Sequence, residues 1–434
     1  MKVMVVDSGG RGHAIAWQFK NDPHVREVIC TPGNAGIARE IRCENARSNE
    51  EILNLAKRES VDIIFVGPES PLTNGLVDLI SSENIPIVGP HKRASVLEGS
   101  KAYTKLLCRE IGVPVADFEV FDDHRKAKDY IEHVKYPVVV KADGLAQGKG
   151  SIVCSDATEA CKAVDQLMVE KVFGEAGKKV VIEKRLFGTE ISFFVFTDGD
   201  ALVPMPVAQD YKRAYDNDEG SNTGGMGSYS PHRLEGEELD RLVCEKVAKP
   251  LLYGFREKEG IPYKGILYCG LMLVGETPHL LEINVRLGDP EAEVILPRLE
   301  TPLSDISFQI INGVLSEKHV EWSGDYFCDV VAAAGRTRQM KQGKSKGWYP
   351  GYPARYGKGY AISGLDDVHD PDCKIFFAGV GMSETKGFVT DGGRVLHVVG
   401  RGKTLLEARS VAYTNIEKIH FEGIRYRTDI GKES

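Results

Sequence analysis

Over residues 1–90, short apolar runs alternate with amphipathic stretches. The runs at 2–6, 25–30, 62–66 and 85–88 read as strands, and the stretches beginning at His13, Glu50 and Leu72 read as helices. Strands separated by helical lengths predict parallel pairing, because a parallel neighbour is reached only through a crossover. The expectation is an open, Rossmann-like parallel sheet. Its strand ends carry Gly9, Gly10 and Arg11, then Asn34, Ala35 and Gly36, then Glu69. Ligands of such sheets lie beyond the carboxyl ends of the strands, and glycine turns entering helices offer amides to anions. A dinucleotide fold is the obvious rival, but the GxGxxG spacing is absent.

Further along, Val138, Val139 and Val140 deliver Lys141 to the run Asp143-Gly144-Leu145-Ala146-Gln147-Gly148-Lys149-Gly150. Phosphoryl transfer needs backbone N–H groups, cations and a divalent metal around the migrating group, and glycines let a backbone approach phosphates closely. The run lacks the form GxxxxGK[ST], since Gly150 follows Lys149; strand, loop, strand is expected. Glu282 and Asn284 alternate with Leu281, Ile283 and Val285, which places both polar side chains on one face of a strand. Their oxygens suit a hard cation. Arg286, Asp289 and Glu291 follow at once, and Arg286 is a candidate bidentate partner for a carboxylate or phosphate. Residues 208–229 read as a long polar loop of the kind that is more often functional than idle.

A last segment from about residue 325 opens with the apolar run 330–334. Strands are expected at 375–377 and 395–399 and a closing helix at 405–420. Asp391-Gly392-Gly393-Arg394 reads as a tight hairpin turn, in a segment expected to carry no chemistry.

Composition narrows the function classes. A chain of 434 residues, 42% of them apolar, has room for about three domains. Its net charge of −8 argues against nucleic acid, so phosphate binding has to be local. Nine cysteines without CxxC spacing support neither a disulfide framework nor a zinc site, and a reducing cytoplasm fits them. No apolar run approaches the roughly 20 residues that span a bilayer. Nucleophile elbows and paired catalytic cysteine and histidine are also missing, which leaves positioning and electrostatics as the means of catalysis.

Nine segments together resemble the ATP-grasp ligases and, within them, the phosphoribosylamine–glycine ligase family. They are Ser8-Gly9-Gly10-Arg11-Gly12-His13, Pro32-Gly33-Asn34-Ala35-Gly36, Val66-Gly67-Pro68-Glu69, Leu97-Glu98-Gly99-Ser100-Lys101, residues 141–150, Gln209-Asp210-Tyr211-Lys212-Arg213, Asn222-Thr223-Gly224-Gly225-Met226-Gly227, residues 282–291 and Thr390-Asp391-Gly392-Gly393-Arg394. The resemblance implies an N-terminal substrate-binding domain at 1–100, an ATP-grasp domain at 101–322 with a mobile subdomain at about 114–190, and a C-terminal α+β domain at 323–434.

It also implies a reaction. ATP phosphorylates the carboxylate of glycine, the amine of 5-phosphoribosylamine attacks the acyl phosphate, and glycinamide ribonucleotide, ADP and phosphate leave, an early step of purine synthesis. Lys105, Lys141, Gly144, Gly148, Lys149 and Gly150 would face the nucleotide phosphates. The backbone from Glu183 to Leu186 would read adenine, and Glu190 the ribose hydroxyls. Glu282 and Asn284 would hold Mg2+ or Mn2+. Asp210, Lys212 and Arg286 would act at the glycine and acyl phosphate, with Asn222, Thr223, Gly224, Gly225 and Asp289 lining the site. Gly9, Gly10, Arg11, Asn34, Ala35, Gly36 and Glu69 would hold the phosphoribosylamine. The partners implied are these small molecules, with no nucleic acid and no membrane, for a monomer or weak homodimer in the cytoplasm.

The chain departs from the pattern where relatives show glycine and it has Asp7, and where they show glutamate and it has Gly12. An acidic group near a phosphate is costly, so either Asp7 points away or the sugar-phosphate site differs. The rival classes are a nucleotide-binding protein that kept the fold without turnover, and a ligase for another amino acid and amine.

Overall fold

The computed structural model describes residues 1–146, 150–341 and 344–432. The N-terminal part runs β1 (Lys2–Asp7), α1 (Gly10–Lys20), β2 (Glu27–Pro32), β3 (Arg42–Cys43), α2 (Asn49–Glu59), β4 (Ile63–Val66), α3 (Glu69–Thr73), α4 (Leu76–Ser81), β5 (Ile87–Val88) and α5 (Val96–Gly99). Its sheet has the order β3-β2-β1-β4-β5 and every pairing is parallel. The alternation read from the sequence therefore stands. Val3 and Val5 enter one hydrophobic cluster and Met4 and Val6 the other, so β1 is covered on both faces, as an apolar run in a parallel sheet requires. The single helix expected from Leu72 is two, because Gly75 takes φ +84° between α3 and α4.

The central part begins with α6 (Lys101–Ile111), β6 (Phe118–Phe121), α7 (His124–His133), β7 (Val138–Ala142), β8 (Ser151–Val153), α8 (Ala157–Val164) and β9 (Val180–Lys184). These strands form an antiparallel sheet of order β6-β9-β7-β8 over its own core, which includes Ala127, Ile131, Val138, Val140, Val164 and Leu167. The strands on either side of the glycine run pair with each other, Lys141 opposite Ser151. Gly148 and Lys149 lie outside the described residues.

Next come β10 (Thr189–Thr197), β11 (Leu202–Pro204), β12 (Gln209–Asp210), β13 (Arg213–Tyr215), β14 (Glu219–Asn222), β15 (Gly227–Ser230), α9 (Glu237–Val243), α10 (Lys249–Glu259), β16 (Gly265–Val274), β17 (Thr277–Asn284), α11 (Ala292–Ile295) and α12 (Leu303–Asn312). A second antiparallel sheet has the order β11-β10-β16-β17. Residues 208–229 are not the loop expected from their polarity. They form four short strands, of which β13 and β14 pair with each other, while β12 and β15 join the C-terminal sheet.

That last sheet is built from β18 (Tyr326–Ala334), β21 (Cys373–Phe377), β24 (Arg394–Gly402) and β25 (Ile424–Arg425), in the order β12-β15-β18-β24-β21 with β25 beside β18. Hairpins β19 (Thr337–Lys341) with β20 (Lys344–Tyr349) and β22 (Val380–Ser383) with β23 (Gly387–Thr390) stand apart from it, and α13 (Leu405–Ile416) packs on it. Residues 391–394 are consequently not a hairpin turn. They carry the chain from β23, which pairs with β22, to β24, which pairs with β18 and β21.

Candidate active site

A bulge in β17 prepares the site. Gly270 pairs with Glu282 and Leu271 with Leu280, so Leu281 is an extra residue and the Leu280 and Leu281 carbonyls both face the lysines expected at the phosphates. Lys105 Nζ donates to the Leu280 oxygen at 2.8 Å and Lys141 Nζ to the Leu281 oxygen at 3.0 Å. Both ammonium groups also clasp Glu183, Lys105 at 2.7 Å from Oε2 and Lys141 against Oε1. All three side chains are buried. Burial alone would raise the Glu183 carboxyl, but the two lysines outweigh it and hold the group below the ordinary carboxylate range. Lysines from α6 and β7 are thus fixed side by side, one from a helix whose lysine carried no signal beyond resemblance.

Glu282 is the complementary feature. Among the described residues no side chain bonds its carboxylate, yet burial fails to neutralise it, because Lys212, Lys101, Lys141 and Arg286 hold it ionised. Asn284 lies on the same strand face, its Oδ1 accepting from Arg286 Nη2 at 3.0 Å. A free, ionised carboxylate next to an amide oxygen is a donor set that fits a hard divalent cation.

Lys212 Nζ donates to Glu190 Oε1 at 2.6 Å and stands 3.5 Å from Asp210 Oδ2. Burial lowers the Lys212 ammonium, but Glu190, Tyr268, Asp210 and Glu282 reverse that and raise it well above normal. Burial pushes the Asp210 carboxyl up to about 8 against the pull of Lys212, with Glu291 and Glu190 adding to the rise. Glu291 itself accepts from Ser192 Oγ at 2.9 Å. The turn behind this group needs Gly225 at φ +106°, where a Cβ would stand 2.7 Å from Asp210 Oδ1. Thr223 Oγ1 caps it by accepting the Gly225 amide at 2.9 Å, and Asn222 Nδ2 reaches the Ser151 carbonyl at 3.1 Å.

Arg286 sits where three segments meet. Its Nη2 donates to Glu98 Oε1 at 2.8 Å, and its Nε is 3.3 Å from Glu69 Oε2. Arg11 donates to Asp7 Oδ2 at 3.0 Å and to the Leu287 carbonyl at 3.1 Å. Asp7 does not point away from the glycine turn: its Oδ1 accepts the Ser8 and Gly9 amides at 2.6 and 2.8 Å. The amides expected to receive a phosphate are met by a carboxylate of the chain itself. Asn34 is likewise engaged, accepting the Gly36 amide and donating to the Ser8, Phe377 and Ala378 carbonyls, so the 34–36 turn is tied to the C-terminal sheet.

Two contributions escaped the sequence reading. Arg394 from β24 pairs with Asp289 Oδ1 at 2.8 Å and donates to the Gly224 carbonyl at 2.6 Å, which brings the C-terminal segment to the site. Glu98 on α5 anchors Arg286 and accepts the Val285 amide at 2.8 Å. The only signal for either was membership in a segment quoted above.

Residues 1–98 match the N domain of phosphoribosylglycinamide synthetase, residues 99–292 its ATP-grasp (A) domain and residues 349–433 its C domain. The chain belongs to that family. Relatives in it named phosphoribosylamine–glycine ligase include those of Archaeoglobus fulgidus, 42% identical with 99% of each chain covered, and Clostridium acetobutylicum, 41% identical with 100% of each covered. A chicken relative named trifunctional purine biosynthetic protein adenosine-3 is 42% identical over 99% of this chain but only 42% of its own. Among solved structures, the phosphoribosylamine–glycine ligase of Thermotoga maritima superposes with a TM-score of 0.82 at 35% identity, covering 99% of this chain and 100% of that one. The biotin carboxylase of Campylobacter jejuni, at 15% identity and a TM-score of 0.71 over 98% and 92% of the two chains, shares the fold. Among the described residues no helix is long and apolar enough to cross a membrane.

Proposed function

We infer that this family member joins glycine to 5-phosphoribosylamine at the expense of ATP, in purine biosynthesis, through a glycyl phosphate. The observation that carries the reading is Glu282: an ionised carboxylate with no bonding partner among the described residues, ringed by Lys212, Lys101, Lys141 and Arg286. Cations gathered around an acid that they do not bond suit a polyphosphate and its metal.

Glu282 and Asn284 would hold Mg2+ or Mn2+, which when bound offsets charge on the phosphates. Lys105 and Lys141 orient the phosphates, and Gly144, Gly148, Lys149 and Gly150 are their further partners in this reading. The backbone from Glu183 to Leu186 reads the purine edge; the Lys184 and Arg185 amides already bond the Asp117 and Pro137 carbonyls, so the amide for the purine is that of Leu186. Asp210 and Lys212, with Arg286, position the glycine carboxylate; Lys212 remains protonated and stabilises the acyl phosphate oxygens. Asn222, Thr223, Gly224, Gly225 and Asp289 line the substrate side. Gly9, Gly10, Arg11, Asn34, Ala35, Gly36 and Glu69 face the phosphoribosylamine, and Glu190 the ribose hydroxyls of the nucleotide. Domain boundaries at 100 and 322, a mobile subdomain at about 114–190, a monomer or weak homodimer and a cytoplasmic setting belong to the same reading.

The test is glycine-dependent ADP release from ATP, magnesium and freshly made phosphoribosylamine. With glycine carrying 18O in its carboxylate, one label should appear in the released phosphate; its absence would remove the glycyl phosphate. A second reading, a nucleotide-binding protein without turnover, is favoured by one observation, the Asp7 carboxylate seated on the Ser8 and Gly9 amides. ATP binding with no ADP release for glycine or a panel of other amino acids would decide for it.

A further inference from the structure

Beneath the Gly9–Gly10 turn lies a buried group of acids and one imidazole, of which the reaction above uses only Asp289. Asp329 on β18 and His397 on β24 are diagonal neighbours on adjacent strands, with His397 Nδ1 2.7 Å from Asp329 Oδ2. The opposite ring nitrogen, Nε2, is 3.7 Å from Asp289 Oδ1 and 3.7 Å from Glu293 Oε1. Asp329, His397 and Glu293 are all 0% exposed. Both Glu293 oxygens and His397 Nε2 lack a hydrogen-bond partner among the described residues.

Asp289, Glu293 and Asp329 bring three acids; Arg394 pairs with Asp289 at 2.8 Å, and burial beside Asp289 and Asp329 pushes the Glu293 carboxyl well above its ordinary range. An ionised Asp329 can only accept, so it fixes the proton of His397 on Nδ1 and turns the Nε2 lone pair toward two further carboxylates. A proton on Glu293 or a cation among these atoms offsets the remaining charge. A shared proton would draw donor and acceptor to roughly 2.6–3.0 Å, well short of the 3.7 Å observed. Two ligands of one ion at about 2.1 Å each stand roughly 3.4 Å apart in a tetrahedron, which is close to the observed spacing. The three ligand atoms lie within 4.8 Å of one another. Gly10 packs directly on this group, since a Cβ there would stand 2.6 Å from both Glu293 Oε1 and His397 Nε2, so no other residue fits over it.

We propose that Asp289, Glu293 and His397 form a divalent metal site, oriented by Asp329, that fastens the C-terminal sheet to the end of the ATP-grasp segment. One imidazole and two carboxylates select a transition ion of the zinc or manganese type; magnesium and calcium prefer oxygen alone. The site is separate from Glu282 and Asn284 and needs no nucleotide.

The experiment strips the full-length protein with a chelator and titrates Zn2+ and Mn2+ without nucleotide, following bound metal and melting temperature. One equivalent per chain should bind and raise the melting temperature by several degrees. Glu293→Gln and His397→Gln should lose that equivalent, and Glu282→Gln should retain it. In case the buried variants fold poorly, the wild-type Mn2+ complex is examined by pulsed electron paramagnetic resonance, where coupling to one imidazole nitrogen is expected. No bound equivalent in the wild type, a Mn2+ complex without nitrogen coupling, or unchanged binding in folded Glu293→Gln and His397→Gln would overturn the site.

Discussion

Asp7 and Gly12 are fitted to each other across the first turn of α1: a Cβ at Gly12 would overlap the Asp7 Cβ and stand 2.7 Å from its Cγ. The two departures from the family pattern are therefore one change. An acid placed at the end of β1 leaves no space for any side chain at position 12, and its charge is absorbed locally by two amides and Arg11. Gly12→Ala should destabilise the protein by about 1–3 kcal/mol through overpacking. In an Asp7→Gly background the same substitution should be close to neutral, giving a coupling of similar size in a double-mutant cycle measured by urea unfolding. Additive effects would mean that the two positions are independent.

The metal assignment turns on the charge of Glu282. Glu282→Gln keeps the shape of a side chain that bonds no other described residue, so unfolding free energy should change by no more than about 1 kcal/mol. Glycine-dependent ADP release at limiting magnesium should fall by about 100-fold or more, since a bound metal supplies several kcal/mol of charge stabilisation. Equal ADP release at limiting magnesium would remove Glu282 from the site.

Lys141 has two roles that separate experimentally. Lys141→Ala should raise the KM for ATP by about 10-fold or more, because one of two cations fixed at the phosphates is lost. It should also cost about 1–3 kcal/mol of stability, since the buried Glu183 keeps Lys105 alone. Steady-state kinetics and unfolding report the two effects independently. An unaltered ATP dependence beside the expected stability loss would make Lys141 a structural partner of Glu183 only.

What the sequence disclosed follows physical periodicity. The parallel sheet was legible because β1, β2 and β4 are apolar runs separated by helical lengths. The polar face of β17 was legible from Glu282 and Asn284, although the bulge at Leu281 breaks the alternation there and puts Leu280, not Leu281, in the core. Strands β12 to β15 were not legible. They are two to four residues long, too short for a period, and β15 exists because β18, about a hundred residues later, offers it an edge, to which β12 then adds. The acid and imidazole group was hidden for a related reason: Asp329 and His397 each interrupt an apolar strand, and only β-pairing brings them together.

Stability should also carry an acid signature unrelated to the active site. Asp240 on α9 has a buried Oδ1 with no hydrogen-bond partner among the described residues. Burial, with Glu235, Glu317 and Glu237 nearby, pushes its carboxyl up to about 6. In the unfolded chain an aspartate titrates near 3.9, so between about pH 4 and pH 6 the folded protein holds more of this proton than the unfolded one. The contribution of Asp240 is therefore complete below pH 4 and is lost as pH rises through 6. Asp240→Asn should stabilise the protein at pH 7.5 by about 1–2 kcal/mol, allowing for solvent screening at a partly exposed helix face. At pH 4, where the aspartic acid is already neutral, the gain should vanish. Urea unfolding of the two proteins at both pH values checks this, and an equal gain at pH 4 and pH 7.5 would show that removing the charge is not its source.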